Sequence, residues 1–216
     1  VEQDGYTYLN MHGNVGLSKA YNRAIDKINE LNPRYRGYIV LLDDDTFIPE
    51  DYFFELSAAI KKHNSHIFLP IVEDEIGILS PSIMKKYYCH RAIGDVHCIK
   101  KRELCGINSG MAIRKDLFDN YRYNENIFLD YVDHNFIRDM RKKDVEITIL
   151  DVVLRQKFSS NSDSKEKALI RFSIFKKDIN EFYKHGFWNR FFYYYTIVRR
   201  KTRLAMQFKD FKLLFI

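Results

Sequence analysis

Between residues 16 and 31, apolar positions recur every three or four residues: Leu17, Ala20, Tyr21, Ala24, Ile25 and Ile28. That spacing predicts an amphipathic helix, with Asn14 and Gly16 at its entrance. After Asn32-Pro33 the pattern changes to a continuous apolar run, Gly37 to Leu42, of the kind a strand buried on both faces carries in a parallel sheet. The run stops abruptly at Asp43, Asp44 and Asp45. Pro49-Glu50-Asp51 then opens a second helix, with proline in the first turn and acids complementing the helix dipole. Its apolar positions are Phe53, Phe54, Leu56, Ala59 and Ile60.

Residues 67–72 read as the next strand, and residues 73–105 as loop and short strands. A strand at 110–113, a short helix at 115–118, a helix at 132–142 and a strand at 145–153 follow. Strands alternating with helices predict an α/β domain with a mainly parallel sheet flanked by helices, whose ligands bind beyond the carboxyl ends of the strands. The aspartates fall at such an end. Ser159 to Ser164 reads as a polar linker, and helical segments at 165–185 and 187–208 lie beyond it. The division is a catalytic-type domain over 1–160 and a helical extension over 161–216. Because the pattern opens inside a strand-turn-helix unit at Val1, a strand-helix-strand unit is expected to precede it.

The formal charge is +6. Residues 161–216 hold 13 Lys and Arg against 5 Asp and Glu, so the basic character belongs to the extension and the rest is slightly acidic. Aromatics from Phe187 to Tyr195 precede Arg199-Arg200-Lys201. Two readings stay open: Phe191, Tyr194, Tyr195 and Val198 pack on the domain, or the helices lie on an anionic membrane surface. No nucleic-acid module accompanies them, so nucleic acid is not an expected partner. No apolar run reaches the roughly 18–20 residues of a membrane span. The three cysteines do not make a disulfide framework, which suits a reducing cytosol. Cys89-His90 and His97-Cys98 mix zinc-ligand types, but as adjacent pairs without knuckle spacing they favour a partly buried loop over a zinc site.

Three consecutive carboxylates at a strand end repel one another, and a divalent cation relieves that repulsion. Mg²⁺ and Mn²⁺ prefer carboxylate oxygens and share their shell with phosphates. In an extended chain Asp43 and Asp45 point the same way and Asp44 elsewhere. A solvated acidic turn ahead of a helix is an equal alternative from the tripeptide alone.

Four blocks in order settle on one resemblance. Asn14-x-Gly16 with Asn22, Tyr38 to Thr46, Asn108-Ser109-Gly110, and Phe128-Leu-Asp130-Tyr-Val-Asp133 together resemble family 2 glycosyltransferases of the GT-A, Rossmann-like fold, over roughly residues 5–160. The last block is similar to that of bacterial rhamnosyltransferases. The resemblance implies that Asp43 and Asp45 hold Mg²⁺ or Mn²⁺ against a donor diphosphate. It places Asn14, Gly16, Asn22, Asp44, Asn108, Ser109 and Gly110 along the donor. Asn14 and Gly16 read equally well as helix capping. Asp133 is the implied general base, with Asp130 as its substitute. Departures are His134-Asn135, where a second acid is usual, and Arg155-Gln156-Lys157, where relatives carry a histidine. The missing leading unit would supply most nucleobase contacts.

The implied function is inverting transfer of a hexose or deoxyhexose from a nucleotide sugar to a cell-surface glycan or lipid-linked glycan. Its expected place is the cytoplasm, peripheral to the inner face of the plasma membrane. The alternative is a non-catalytic sugar-nucleotide or glycan-binding module. A nucleotidyl- or phosphotransferase would need a phosphate-cradling glycine loop, which the sequence lacks.

Overall fold

The computed structural model describes residues 2–3, 5–85, 88–156 and 164–216. A small antiparallel pair, β1 (Glu2–Gln3) and β2 (Tyr6–Thr7), precedes α1 (Leu17–Leu31). Then come β3 (Tyr38–Val40), β4 (Thr46–Phe47), α2 (Tyr52–Lys62), β5 (Ile67–Asp74) and β6 (Gly77–Ser80). β7 (Ser82–Lys85), β8 (Tyr88–Arg91), β9 (Leu104–Cys105) and β10 (Ala112–Arg114) follow. The chain finishes with α3 (Val132–Lys142), β11 (Ile147–Gln156), α4 (Lys165–Phe182) and α5 (Phe187–Gln207). The linker expected at 159–164 lies outside the described residues, except for Ser164, whose side chain caps α4.

The α/β class and the flanking helices are as the alternation predicts, but the sheet is mixed rather than mainly parallel. Its order is β3-β10-β5-β11-β4, with β6 folded back on the end of β5. Among the described residues only β5 and β11 pair in parallel. β10 inserts antiparallel between β3 and β5, and β4 closes antiparallel on β11. Hydrophobic periodicity reports which residues are buried, not which way a strand runs, so direction was not readable.

A second correction concerns the run before the aspartates. β3 has a single neighbour, β10, among the described residues and is half-buried rather than covered on both faces, with Leu42 exposed. α2 also differs in detail. Tyr52 and Leu56 turn inward and Phe53 and Phe54 outward, because a helical step of about 100° carries neighbours off the inner face.

Successive side chains of β5 divide two cores, as the period of two in a strand requires. Ile67 and Leu69 join Met111, Ile113, Phe136, Ile137 and Met140 on one side. Phe68 and Val72 join Tyr52, Leu56 and Ala112 on the other. The first core continues into the extension through Phe172, Phe175, Ile179, Phe182, Ile197 and Leu204. Each fully buried Phe or Leu there contributes about 2–3 kcal/mol, so α4 and α5 are bound to the domain by a shared interior. A three-stranded sheet, β8-β7-β9, sits beside the main one. Arg91 at the end of β8 grips Asp74 at the end of β5 through both guanidinium nitrogens.

Candidate active site

The three aspartates do not stay extended. The Thr46 N–H donates to the Asp43 carbonyl oxygen at 3.3 Å, so the chain turns at Asp44 and Asp45 before entering β4. β4 pairs Thr46 with Gln156, which brings the end of β11 beside the turn. The Gln156 amide donates to an Asp45 oxygen at 2.9 Å. Gln156 and Arg155 thus both lie beside the aspartate turn, and Lys157 lies outside the described residues. Asp44 is exposed and lines an open groove with Asp45, Phe47, Val153 and Arg155.

Asp43 is the half-buried member. The Ser109 hydroxyl donates to its Oδ2. Burial pushes its carboxyl above the usual range, the bond from Ser109 opposes this, and the charges of Asp45, Asp133 and Asp44 push it further up. Ser109 is held by a tight passage: the Met111 N–H donates to the Asn108 carbonyl, and the Gly110 N–H to the Leu41 carbonyl. Gly110 has φ +74°, and a Cβ there would meet Leu154 at 2.4 Å and Pro70 at 2.9 Å. Its carbonyl also receives the Tyr52 hydroxyl at 2.5 Å. Asn108 is buried, and its Oδ1 has no partner.

The entrance of α1 takes a different form from a plain cap. The Asn14 Oδ1 accepts the Gly16 N–H at 3.1 Å, while Gly16 itself stands at the N-terminus with φ +86°. A Cβ on Gly16 would fall 2.6 Å from the Phe128 ring. Asn22 is buried, and its amide is fully committed. Nδ2 donates to the Tyr123 carbonyl and to Glu125, each at 3.0 Å, and Oδ1 accepts the Tyr123 N–H at 2.9 Å. Asn22 therefore holds the 123–125 loop, with both amide hydrogens engaged.

Asp130 and Asp133 flank the start of α3. The carboxylate of Asp178 on α4 accepts the N–H groups of Phe128, Leu129 and Asp130 at 2.7–2.8 Å. Asp130 itself meets Arg171 at 2.9 Å. Its carboxyl is raised by burial, against the pull of Arg171, so it is tied into the extension. Asp133 turns the other way. Its Oδ1 accepts a hydrogen bond from Nδ1 of His134 at 2.7 Å, and its charge reaches both Asp43 and the half-buried Tyr21 phenol. Burial first, then Asp43 and Asp133, raise the Tyr21 pKa, while the Asn108 side chain, bonded to the phenol, opposes the rise. Tyr21, Asn108, Asp43 and Asp133 thus form one neighbourhood.

The cysteine pattern resolves differently from either adjacent pair. His97 bonds Asp151 at 2.7 Å, and Cys98 is exposed. Cys89 instead meets Cys105 and His134. A hydrogen bond with Cys105, opposed by burial and helped by His134, lowers the Cys89 thiol to about 4. Burial disfavours charge on His134, yet Asp133 and Cys89 hold its pKa well above the ordinary imidazole value.

The aspartates do not close into a three-ligand cage. Mg²⁺ and Mn²⁺ do not require one, since one or two carboxylates plus substrate phosphates suffice. Hard oxygen donors, mutual repulsion at Asp43 and an exposed groove at Asp44 and Asp45 fit such an ion. Three positioning residues escaped the sequence reading. In the sequence Tyr21 reads as one more apolar position of α1, and His134 only as a departure from the resembling family. Asp178 did leave a signal: it is an acid on the apolar face of α4, between Phe175 and Ile179.

No curated protein matches the chain. The profile of glycosyl transferase family 2 matches residues 2–122, which include the aspartates and Asn108-Ser109-Gly110 and stop short of Asp130 and Asp133. The mixed α/β sheet with flanking helices agrees with a GT-A-like fold. With more than half of its length inside that match, the chain belongs to glycosyl transferase family 2.

Proposed function

We propose that this glycosyltransferase moves a hexose or deoxyhexose, in the manner of the rhamnosyltransferase-like enzymes, from a nucleotide sugar to a cell-surface glycan acceptor with inversion. The observation that carries the reading is the Ser109–Asp43 hydrogen bond in a neighbourhood where the charges of Asp43 and Asp133 both act on Tyr21. A base for the acceptor and a carboxylate for the donor diphosphate then share one site. Asp43 and Asp45 would hold Mg²⁺ or Mn²⁺, which when bound offsets charge on the departing nucleoside diphosphate.

Asp133 takes the proton of the acceptor hydroxyl as its oxygen bonds to the anomeric carbon, while the bond to the diphosphate oxygen breaks on the opposite face. His134 holds one oxygen of Asp133, which leaves the other for the proton. Ser109 fixes Asp43, Gln156 fixes Asp45, and Asn108 and Asn14 stand toward the donor. Asp130 keeps the loop of Asp133 in register with α4.

The acceptor side faces a membrane. Phe187, Phe191, Tyr194 and Val198 form an exposed stripe at helical spacing on α5, beside Arg190 and Arg199. Among the described residues no helix is long and apolar enough to cross a bilayer. The exposure of Phe191, Tyr194 and Val198 supports the membrane reading, while Tyr195 also meets the Tyr88 ring of β8 edge-on.

The test is transfer with Mn²⁺ and a panel of nucleotide sugars, with products detected by mass. Asp45→Asn and Asp133→Asn should each lower transfer by about 10²–10⁴-fold. Normal turnover in both variants overturns the site, and tight donor binding without turnover in the unaltered chain favours the binding module.

A further inference from the structure

Next to Asp133, through its hydrogen bond with His134, three soft ligand groups converge. Cys89 of β8, Cys105 of β9 and His134 of α3 place their ligand atoms within 4.8 Å of one another. Among the described residues no other trio of His, Cys, Asp and Glu does so. Cys105 is fully buried and Cys89 half-buried.

The sheet explains why both thiols point to one place without being able to join. β7 pairs Met84 with Cys89 on one side and Ser82 with Cys105 on the other. Ser82 and Met84 are two residues apart, so all four side chains leave the same face. β7 runs between the cysteines, and two strand spacings put their backbones about 9.5 Å apart. A disulfide needs Cα atoms within roughly 7 Å. A tetrahedral ion with Zn–S bonds of about 2.3 Å instead holds two sulfurs some 3.7 Å apart. The register therefore forbids the covalent bond and accommodates the cation.

His134 is already oriented for that role. Its Nδ1 faces Asp133 at 2.7 Å, which leaves Nε2 for the thiols. A carboxylate on the far nitrogen is the usual support of a metal-bound histidine. A cavity lined by Met84, Tyr88, Cys89, Tyr131 and Tyr183 adjoins Cys89 and gives a fourth ligand room to enter.

We infer that Cys89, Cys105 and His134 bind one soft divalent cation, Zn²⁺ foremost, with Asp133 orienting His134 from behind. This site is separate from the hard-cation reading of Asp43 and Asp45 and does not depend on it. On binding, the ion displaces any proton from Cys89, from Cys105 and from His134 Nε2, and no redox change accompanies the exchange. His134 then meets the base as a neutral N–H donor, so occupancy is coupled to the catalytic carboxylate.

Titration of the full chain with Co²⁺ reads the site directly through thiolate-to-cobalt charge-transfer absorption. One equivalent should bind, be displaced by Zn²⁺, and persist in Asp45→Asn, which separates this site from the aspartate turn. Cys98→Ser should leave the band unchanged, Cys89→Ser should abolish it, and Asp133→Asn should weaken binding about 10- to 100-fold. Circular dichroism on Cys89→Ser, at a half-buried position, establishes that loss is not unfolding. Absence of the band in the unaltered, folded chain overturns the inference, as does a band that survives Cys89→Ser.

Discussion

Leu17 donates its backbone N–H to the carbonyl oxygen of Phe128 at 2.6 Å, joining the start of α1 to the loop that carries Asp130 and Asp133. Gly16 makes that approach possible. A Cβ there would strike both the Phe128 ring and its carbonyl oxygen, at a φ that L-residues rarely adopt. Gly16→Ala is expected to cost about 2–4 kcal/mol from overpacking and backbone strain. At about 2–4 °C per kcal/mol for a chain of this size, calorimetry should show Tm lower by roughly 4–16 °C. Transfer should fall with it, because the displaced segment positions the base.

Asp178 is the counterpart from the other end of the chain. Removing its carboxylate strands three N–H groups in a buried setting. Asp178→Ala should lose at least about 3 kcal/mol in urea unfolding. Asp178→Asn keeps one acceptor oxygen and should fall between the two. An unaltered unfolding midpoint in both would show that the loop holds itself.

Asp74 and Arg91 give a pH signature. The bond from Arg91 holds the Asp74 carboxyl below its usual range. A depressed carboxyl contributes stability above its unfolded value, near 3.9, and loses it as pH falls through the folded value. Arg91→Met should therefore cost about 2 kcal/mol from pH 5 to 8. The gap to the unaltered chain should close below about pH 4. Thermal unfolding across that range measures it, and a gap that widens in acid would contradict the pairing.

The α5 stripe can be tested without an acceptor. Serine at Phe187, Phe191, Tyr194 and Val198 should reduce flotation with anionic vesicles at least about tenfold, since each buried aromatic or Val is worth roughly 1.5–3 kcal/mol. The fold should be unaffected because these side chains face solvent. Equal flotation of both proteins would remove the membrane from the proposed acceptor side.

The helices were legible because their apolar spacing is strong: α1, α3 and α5 begin within a residue of where the pattern places them. Sheet direction was not, since β10 turns antiparallel through the passage at Gly110, and nothing in the spacing of Met111 to Ile113 records that. The site divides likewise. Asp43 and Ser109 were readable as types and do meet. Asn22 was readable as a type but spends its amide on Tyr123, a partner 101 residues away that no local window contains. The Cys89, Cys105 and His134 trio stayed hidden for the same reason, because sheet register and the placement of α3 bring them together.

The loop at 123–130 is grasped by Asn22 from upstream and by Asp178 from downstream. As the chain leaves the ribosome, the first grip is available the moment the loop emerges. The second arrives only after a further stretch of about 50 residues has been synthesised. The segment carrying the acid pair therefore cannot be held from both sides until Asp178 has emerged.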